Sequence, residues 1–201
     1  MPLKLTEADL TRAGIGAFFR PRDVAHLGVS FHQIQTMVSA GDVEKVGDGL
    51  YRLAAAELNE LETIAMVGRA IPGGIVCLLS ALRIHDIGTQ SPHEVWIALD
   101  RKARKPKEPG TRLRIVRFSG AMLRYGVVTR PMLGVPVRIT SPARTVVDCF
   151  RYRKTLGLDV ALEALRDAVR RRKATVSEIV RAADVCRIRT VIVPYLEALS
   201  A

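Results

Sequence analysis

Ser30-Phe31-His32-Gln33-Ile34-Gln35-Thr36-Met37-Val38-Ser39-Ala40 is the stretch whose reading decides the fold. Phe31, Ile34 and Val38 recur at i, i+3 and i+7, the spacing of one helix face. That predicts a helix burying these three and turning His32, Gln33, Thr36 and Ser39 to solvent. Ser30 is placed as its N-cap and Gly41 as its stop. Upstream, Pro21 to Leu27 has a short helical pattern opened by Pro21 and ended by Gly28. Downstream, Val43-Glu44-Lys45-Val46 and Leu50-Tyr51-Arg52-Leu53 flank Gly47-Asp48-Gly49, a hairpin signature. Thr6 to Ala13 predicts one more helix, ended by Gly14 and Gly16, and Ala17-Phe18-Phe19 a short third strand beside the hairpin. Helix, tight turn, helix and hairpin within residues 1–56 form the pattern of a winged helix-turn-helix, a module that lays its second helix in the major groove.

Residues 57–201 read as a second domain of mixed α/β type, with a small sheet and a helical C-terminal end, so the expected fold class is α+β. A helical pattern from Leu58 to Gly68 runs to a break at Pro72-Gly73-Gly74. The apolar run Val76 to Leu82 predicts a buried helix, closed by the turn His85-Asp86-Ile87-Gly88. Glu94 to Leu99 and Leu113 to Ser119 predict strands, with shorter ones at Val127–Thr129 and Val135–Ile139 around Leu133-Gly134. From Ser141 the pattern is helical: one helix to about Arg153, then Leu158–Lys173, a helix capped by Thr175 through Ala183, and Ile188–Leu199 around Pro194.

The chain has 201 residues, 48% of them apolar and 25% charged, a composition that excludes general disorder. It holds no apolar stretch of membrane-spanning length and no secretory leader, so a cytoplasmic protein without a membrane partner is expected. Cys77, Cys149 and Cys186 are odd in number and widely spaced, which suggests buried thiols, not disulfides or a metal site, and no cofactor is expected. The net charge of +11 points to a polyanionic partner. Residues 1–56 hold six basic and six acidic side chains, so the surplus resides in residues 57–201. Between Arg101 and Arg138 there are eleven Lys/Arg against the single acid Glu108.

The chemistry of these side chains selects candidate DNA contacts. On the predicted second helix, Ser30, His32, Gln33 and Thr36 face the groove. A Gln amide matches the adenine edge, and Thr offers a hydroxyl and a methyl. Arg20, Arg22, Lys45 and Arg52 are candidates for phosphate contacts that position this helix. Arg101, Lys102, Arg104, Lys105, Arg112 and Arg114 extend the cationic surface into the second domain, where counterion release would make affinity fall steeply with salt. Arg170-Arg171-Arg172-Lys173 ends a helix, where cations suit the dipole without any ligand. Ser141 reads as an N-cap, and Arg144 and Asp148, at i and i+4, as a helix-surface ion pair.

Two other classes compete. Asp100-Arg101-Lys102 after an apolar strand resembles the (D/E)xK element of metal-dependent nucleases, with Asp86 as the further carboxylate of a magnesium site. A protein-interaction module that kept the winged fold but lost DNA binding is the other.

The chain also resembles the AbiEi family of antitoxins and transcriptional regulators from bacterial type IV toxin–antitoxin systems. The resemblance lies in Phe19-Arg20-Pro21-Arg22-Asp23-Val24, Leu27-Gly28-Val29-Ser30, and Asp48-Gly49-Leu50-Tyr51-Arg52. It continues in Cys77 to Leu82, Val95 to Leu99, Ile139 to Phe150, and Gly157 to Leu165. It implies a two-domain regulator whose N-terminal module binds and represses its own operator. Its C-terminal domain would counteract a nucleotidyltransferase-like toxin, in many pairs without a stable complex. Such operators are commonly repeated, which implies two copies on adjacent half-sites of double-stranded DNA. No catalytic residue is carried over. In one departure, the reading helix contains no Arg or Lys.

Overall fold

The computed structural model describes residues 5–15, 18–47, 49–54, 62–109 and 111–200. The expected features at Gly16, Ala17, Asp48 and 55–61 lie outside them. Mixed α/β architecture is observed, with ten α-helices and two sheets among the described residues. No described helix is long and apolar enough to cross a membrane. The chain divides into two compact units: Met1–Pro72 with Lys105–Arg112 and Arg130–Val137, and the remaining segments, Gly73–Arg104, Leu113–Thr129 and Arg138–Ala201. The first unit thus runs past the expected boundary at residue 56 and takes in two segments of the basic region.

In the first unit, α1 (Glu7–Arg12) and β1 (Phe18–Phe19) precede α2 (Pro21–Val24), which continues as a 3-10 turn over Ala25–Leu27. Then follow α3 (Phe31–Ala40), β2 (Val43–Gly47), β3 (Leu50–Leu53) and α4 (Glu62–Ala70). The sheet is antiparallel in the order β1-β3-β2, with Phe19 opposite Tyr51 and Glu44 opposite Arg52. Capping sets both ends of α3 as expected. Ser30 Oγ accepts from the Gln33 amide at 3.3 Å, and Gln33 Oε1 accepts from the Ser30 amide at 2.7 Å. Gly41 then closes the helix at φ 80°.

The buried face of α3 differs from the expected one. Ile34 and Met37 are buried, Val38 is half-buried, and Phe31 is 59% exposed. At 100° per residue, Ile34 and Met37 centre the inner face, and Phe31 lies about 90° round from that centre. The i, i+3, i+7 set was one flank of the true face.

Gly68, inside α4, has a tertiary reason to be glycine. A Cβ there would stand 2.7 Å from Val137 Cγ2. An exposed mid-helix glycine replaced by alanine gains about 1 kcal/mol. Here the overlap reverses the sign, so Gly68→Ala should lose about 1–3 kcal/mol in denaturant unfolding. Adding Val137→Ala should cost less in that background than alone. A Gly68→Ala chain as stable as the parent would mean Val137 moves aside freely.

The second unit contains β4 (Ile75–Val76), α5 (Leu78–His85), β5 (Val95–Asp100) and β6 (Leu113–Phe118). The hairpin strands β7 (Val127–Met132) and β8 (Val135–Thr140) follow, with residues 130–137 grouped in the first unit. The chain ends in α6 (Pro142–Arg151), α7 (Arg153–Leu156), α8 (Leu158–Arg170), α9 (Val176–Val185) and α10 (Arg189–Ser200). Strand order is β6-β5-β4-β8-β7, with β5 parallel to β6 and β4 parallel to β8. Leu133 and Gly134 both take positive φ, the backbone that a two-residue hairpin turn requires. The core is formed by α5, α6, α8, α9 and α10 through residues such as Leu82, Val146, Phe150, Leu165, Ile179 and Ile192. The apolar run at 76–82 is not one helix: Ile75–Val76 is a strand between β5 and β8, and α5 begins at Leu78. A run buried on every side has no period to tell strand from helix.

Candidate nucleic-acid interface

Helix α3 projects an uncharged surface. His32, Thr36, Ser39 and Phe31 are exposed and Gln33 is half-buried. Several polar groups are already engaged. The Gln33 carbonyl oxygen accepts from the Ser30 amide in the capping box, so one of its two lone pairs is already committed while its NH2 can donate outward. The Thr36 hydroxyl donates to the His32 carbonyl at 3.1 Å, Ser39 to the Gln35 carbonyl at 3.1 Å, and the Gln35 amide to Tyr51 Oη at 3.1 Å. What the face offers outward is the His32 ring, the Gln33 NH2, the Thr36 methyl and the Phe31 ring.

The four cations expected to flank this helix have different fates. Arg22 is 74% exposed, with only a 3.9 Å approach to Asp23 among the described residues, and Lys45 is exposed on β2. Arg20 is half-buried and donates from Nη2 to the Ala70 carbonyl at 3.0 Å. Arg52 is no phosphate contact: it is 7% exposed, paired with Glu44 across the sheet and with Glu62 of α4 at 2.5 Å. The hairpin register that sets Glu44 opposite Arg52 was the sequence signal for this cross-strand pair.

In the basic stretch, Arg101, Lys102, Arg104, Lys105 and Arg112 are exposed. The turn carrying the first three is held by its own hydrogen bonds. Lys102 N donates to Asp100 Oδ1 at 2.7 Å, and Arg117 Nη1 donates to the carbonyls of Asp100 at 2.9 Å and Ala103 at 2.7 Å. Arg114 lies over the Trp96 ring at 5.5 Å and 3.9 Å from Glu94, so its charge is partly committed to the sheet surface. Lys105 and Arg112 belong to the first unit, in a segment whose Pro109 lies beside Gly47 of β2. This docking of the basic segment on the hairpin strand had no signal in the sequence.

The Arg144–Asp148 pair is not on the surface. Both side chains are fully buried, with Arg144 Nε 2.9 Å from Asp148 Oδ1. Arg144 Nη1 also donates to the carbonyls of Met122 at 3.2 Å and Tyr125 at 2.7 Å, and the guanidinium carbon lies 4.9 Å from the Phe118 ring centre. Burial raises the Asp148 carboxyl to about 6 against the opposing pull of Arg144. Its unfolded value is 3.8, so the folded chain holds this proton more tightly. The resulting stability is fully present below about pH 4 and lost as pH rises through about 6. Unfolding free energies at pH 5 and 7 should therefore differ by about 1 kcal/mol more for the parent chain than for Asp148→Asn, with the parent favoured at pH 5. Equal pH slopes in the two proteins would contradict a raised carboxyl. The three thiols are buried as expected, and burial pushes Cys77 and Cys149 up well beyond the ordinary range and Cys186 to about 11.

The carboxylates of the nuclease reading are engaged elsewhere. Asp86 pairs with Arg171 and lies 3.6 Å from Lys173, contacts that hold its carboxyl below the usual range. Asp100 accepts from the Lys102 backbone. Among the described residues, no group of three or more His, Cys, Asp or Glu side chains converges as a metal-ligand set.

No protein-family model matches the chain. No curated protein matches it either. Among solved structures, the chain is similar to the crystal structure of the RV2827C protein from Mycobacterium tuberculosis, with a TM-score of 0.52 at 15% identity over 90% of this chain. It spans 66% of that protein's length, and at this identity the likeness is one of fold.

Proposed function

We propose that the chain is a sequence-specific double-stranded DNA-binding regulator, its residues 1–56 forming a winged helix-turn-helix. The observation that carries this reading is α3 itself: a doubly capped helix that buries Ile34 and Met37 and turns His32, Gln33 and Thr36 outward, followed at once by a hairpin bearing exposed Lys45. Helix α3 enters the major groove with its N-terminal turn towards the base edges, and β2–β3 lies along the backbone. Arg22, Lys45 and the exposed cations of residues 101–112 supply phosphate contacts, which compensates for a reading helix without charge.

Resemblance to the AbiEi family supplies the rest: repression of the chain's own operon from repeated half-sites in the cytoplasm, and opposition to a nucleotidyltransferase-like toxin without a stable complex. The test is direct. The full chain should retain duplex DNA from upstream of its own coding sequence at salt concentrations that release a scrambled duplex. Co-expression with a toxin gene encoded beside it should restore growth. Equal retention of both duplexes removes the regulator reading, and growth arrest despite co-expression removes the antitoxin role.

A further inference from the structure

We propose that α3 reads thymine methyl groups, with the Phe31 ring as the specificity-determining contact and the Thr36 methyl as a second. The inference rests on the DNA-binding reading above. Phe31 is 59% exposed, and the other large exposed apolar side chains among the described residues reach at most 42%. It is the first residue of α3, and the N-terminal residues of a groove-bound helix are those that meet base edges.

The chemistry left available on α3 favours apolar readout. The helix carries no Lys, Arg, Asp or Glu. The Gln33 carbonyl, the Thr36 hydroxyl proton, the Ser39 hydroxyl proton and the Gln35 amide are all engaged within the first unit. The bidentate contact to adenine that Gln33 could make from sequence alone would have to share its carbonyl oxygen with the cap of α3. Beside the polar His32 ring and Gln33 NH2, the face presents a phenyl ring and a threonine methyl, and the one apolar group that a base pair presents in the major groove is the thymine C5-methyl. Phe31 lies to one side of the inner face and not within it, which leaves its ring at the surface.

The experiment uses the full chain and two duplexes of the DNA upstream of its coding sequence, one natural and one with every thymine replaced by deoxyuridine. Fluorescence anisotropy at fixed salt reads affinity. Burying a methyl contributes about fourfold in affinity, so the parent chain should bind the deoxyuridine duplex about fourfold more weakly for each methyl contacted. Phe31→Ala should lose affinity for the natural duplex and narrow the difference between the two, a coupling that altered DNA flexibility alone would not produce. If the parent prefers its own DNA over a scrambled sequence yet binds both forms equally, methyl readout is wrong and DNA binding stands. If it does not prefer its own DNA, both readings fall. If Phe31→Ala shifts the oligomeric state and weakens both duplexes by the same factor, Phe31 serves a contact between copies and the inference is overturned.

Discussion

Replacing Arg144 with methionine should destabilise the chain by about 3–5 kcal/mol, the cost of breaking a buried ion pair from one side. The guanidinium is fully buried and holds Asp148 at 2.9 Å and two backbone carbonyls, Met122 and Tyr125, at 3.2 and 2.7 Å. Methionine restores most of the volume but none of the donors. Asp148 is left without its opposite charge in a place where burial already opposes ionisation. The two carbonyls lose their forked donor, each at about 1–3 kcal/mol if water cannot reach it. Lysine is no substitute, because one ammonium cannot span carboxylate and carbonyls in the geometry of a planar fork. Adding Asp148→Asn should recover part of the loss by removing the stranded charge, while the carbonyls stay unpaired. Thermal and urea unfolding of the three proteins measure this. A loss under about 1 kcal/mol would mean that water enters the pair.

Converting Arg101, Lys102 and Arg104 together to glutamine should flatten the salt dependence of DNA binding. Each phosphate that is no longer neutralised lowers the slope of log K against log salt by about 0.9, so all three would remove about 2.7. The turn is held before any ligand arrives, by Asp100, by Arg117 and by the Arg101 amide bonded to the Phe118 carbonyl at 3.0 Å. Little backbone ordering remains to oppose binding, and the three exposed side chains can be changed without touching the core. Because phosphates carry no sequence, own and scrambled DNA should weaken by the same factor. An unchanged slope would show that this loop faces away from the duplex. A weakening confined to the chain's own DNA would assign it to base reading.

Local chemistry made many elements legible. The caps of α3, α6 and α9 were read from Ser30, Ser141 and Thr175, because a cap depends on a few neighbouring residues. Strands β5, β6 and β8 were legible from apolar and alternating runs, and the short β1 from Phe18-Phe19 beside a hairpin. Of the candidate site, Thr36, His32, Arg22 and Lys45 lie on the surface as expected, since polar periodicity alone places them there. Phe31, Arg52 and the Arg144–Asp148 pair went the other way. Their burial depends on what packs above them, and nothing in the local pattern specifies that neighbour.

Residue order by itself therefore determined where helices start, where the hairpin turns and where cations accumulate, because capping, turn chemistry and charge act within a few residues. Tertiary structure alone decided which of those groups meet water. Glu62 arrives from α4 to cover Arg52, Phe118 and two loop carbonyls enclose Arg144, and Val137 approaches Gly68 so closely that no Cβ fits. Each of these is a contact between residues distant in the chain, and only closing the intervening chain brings their energies into play.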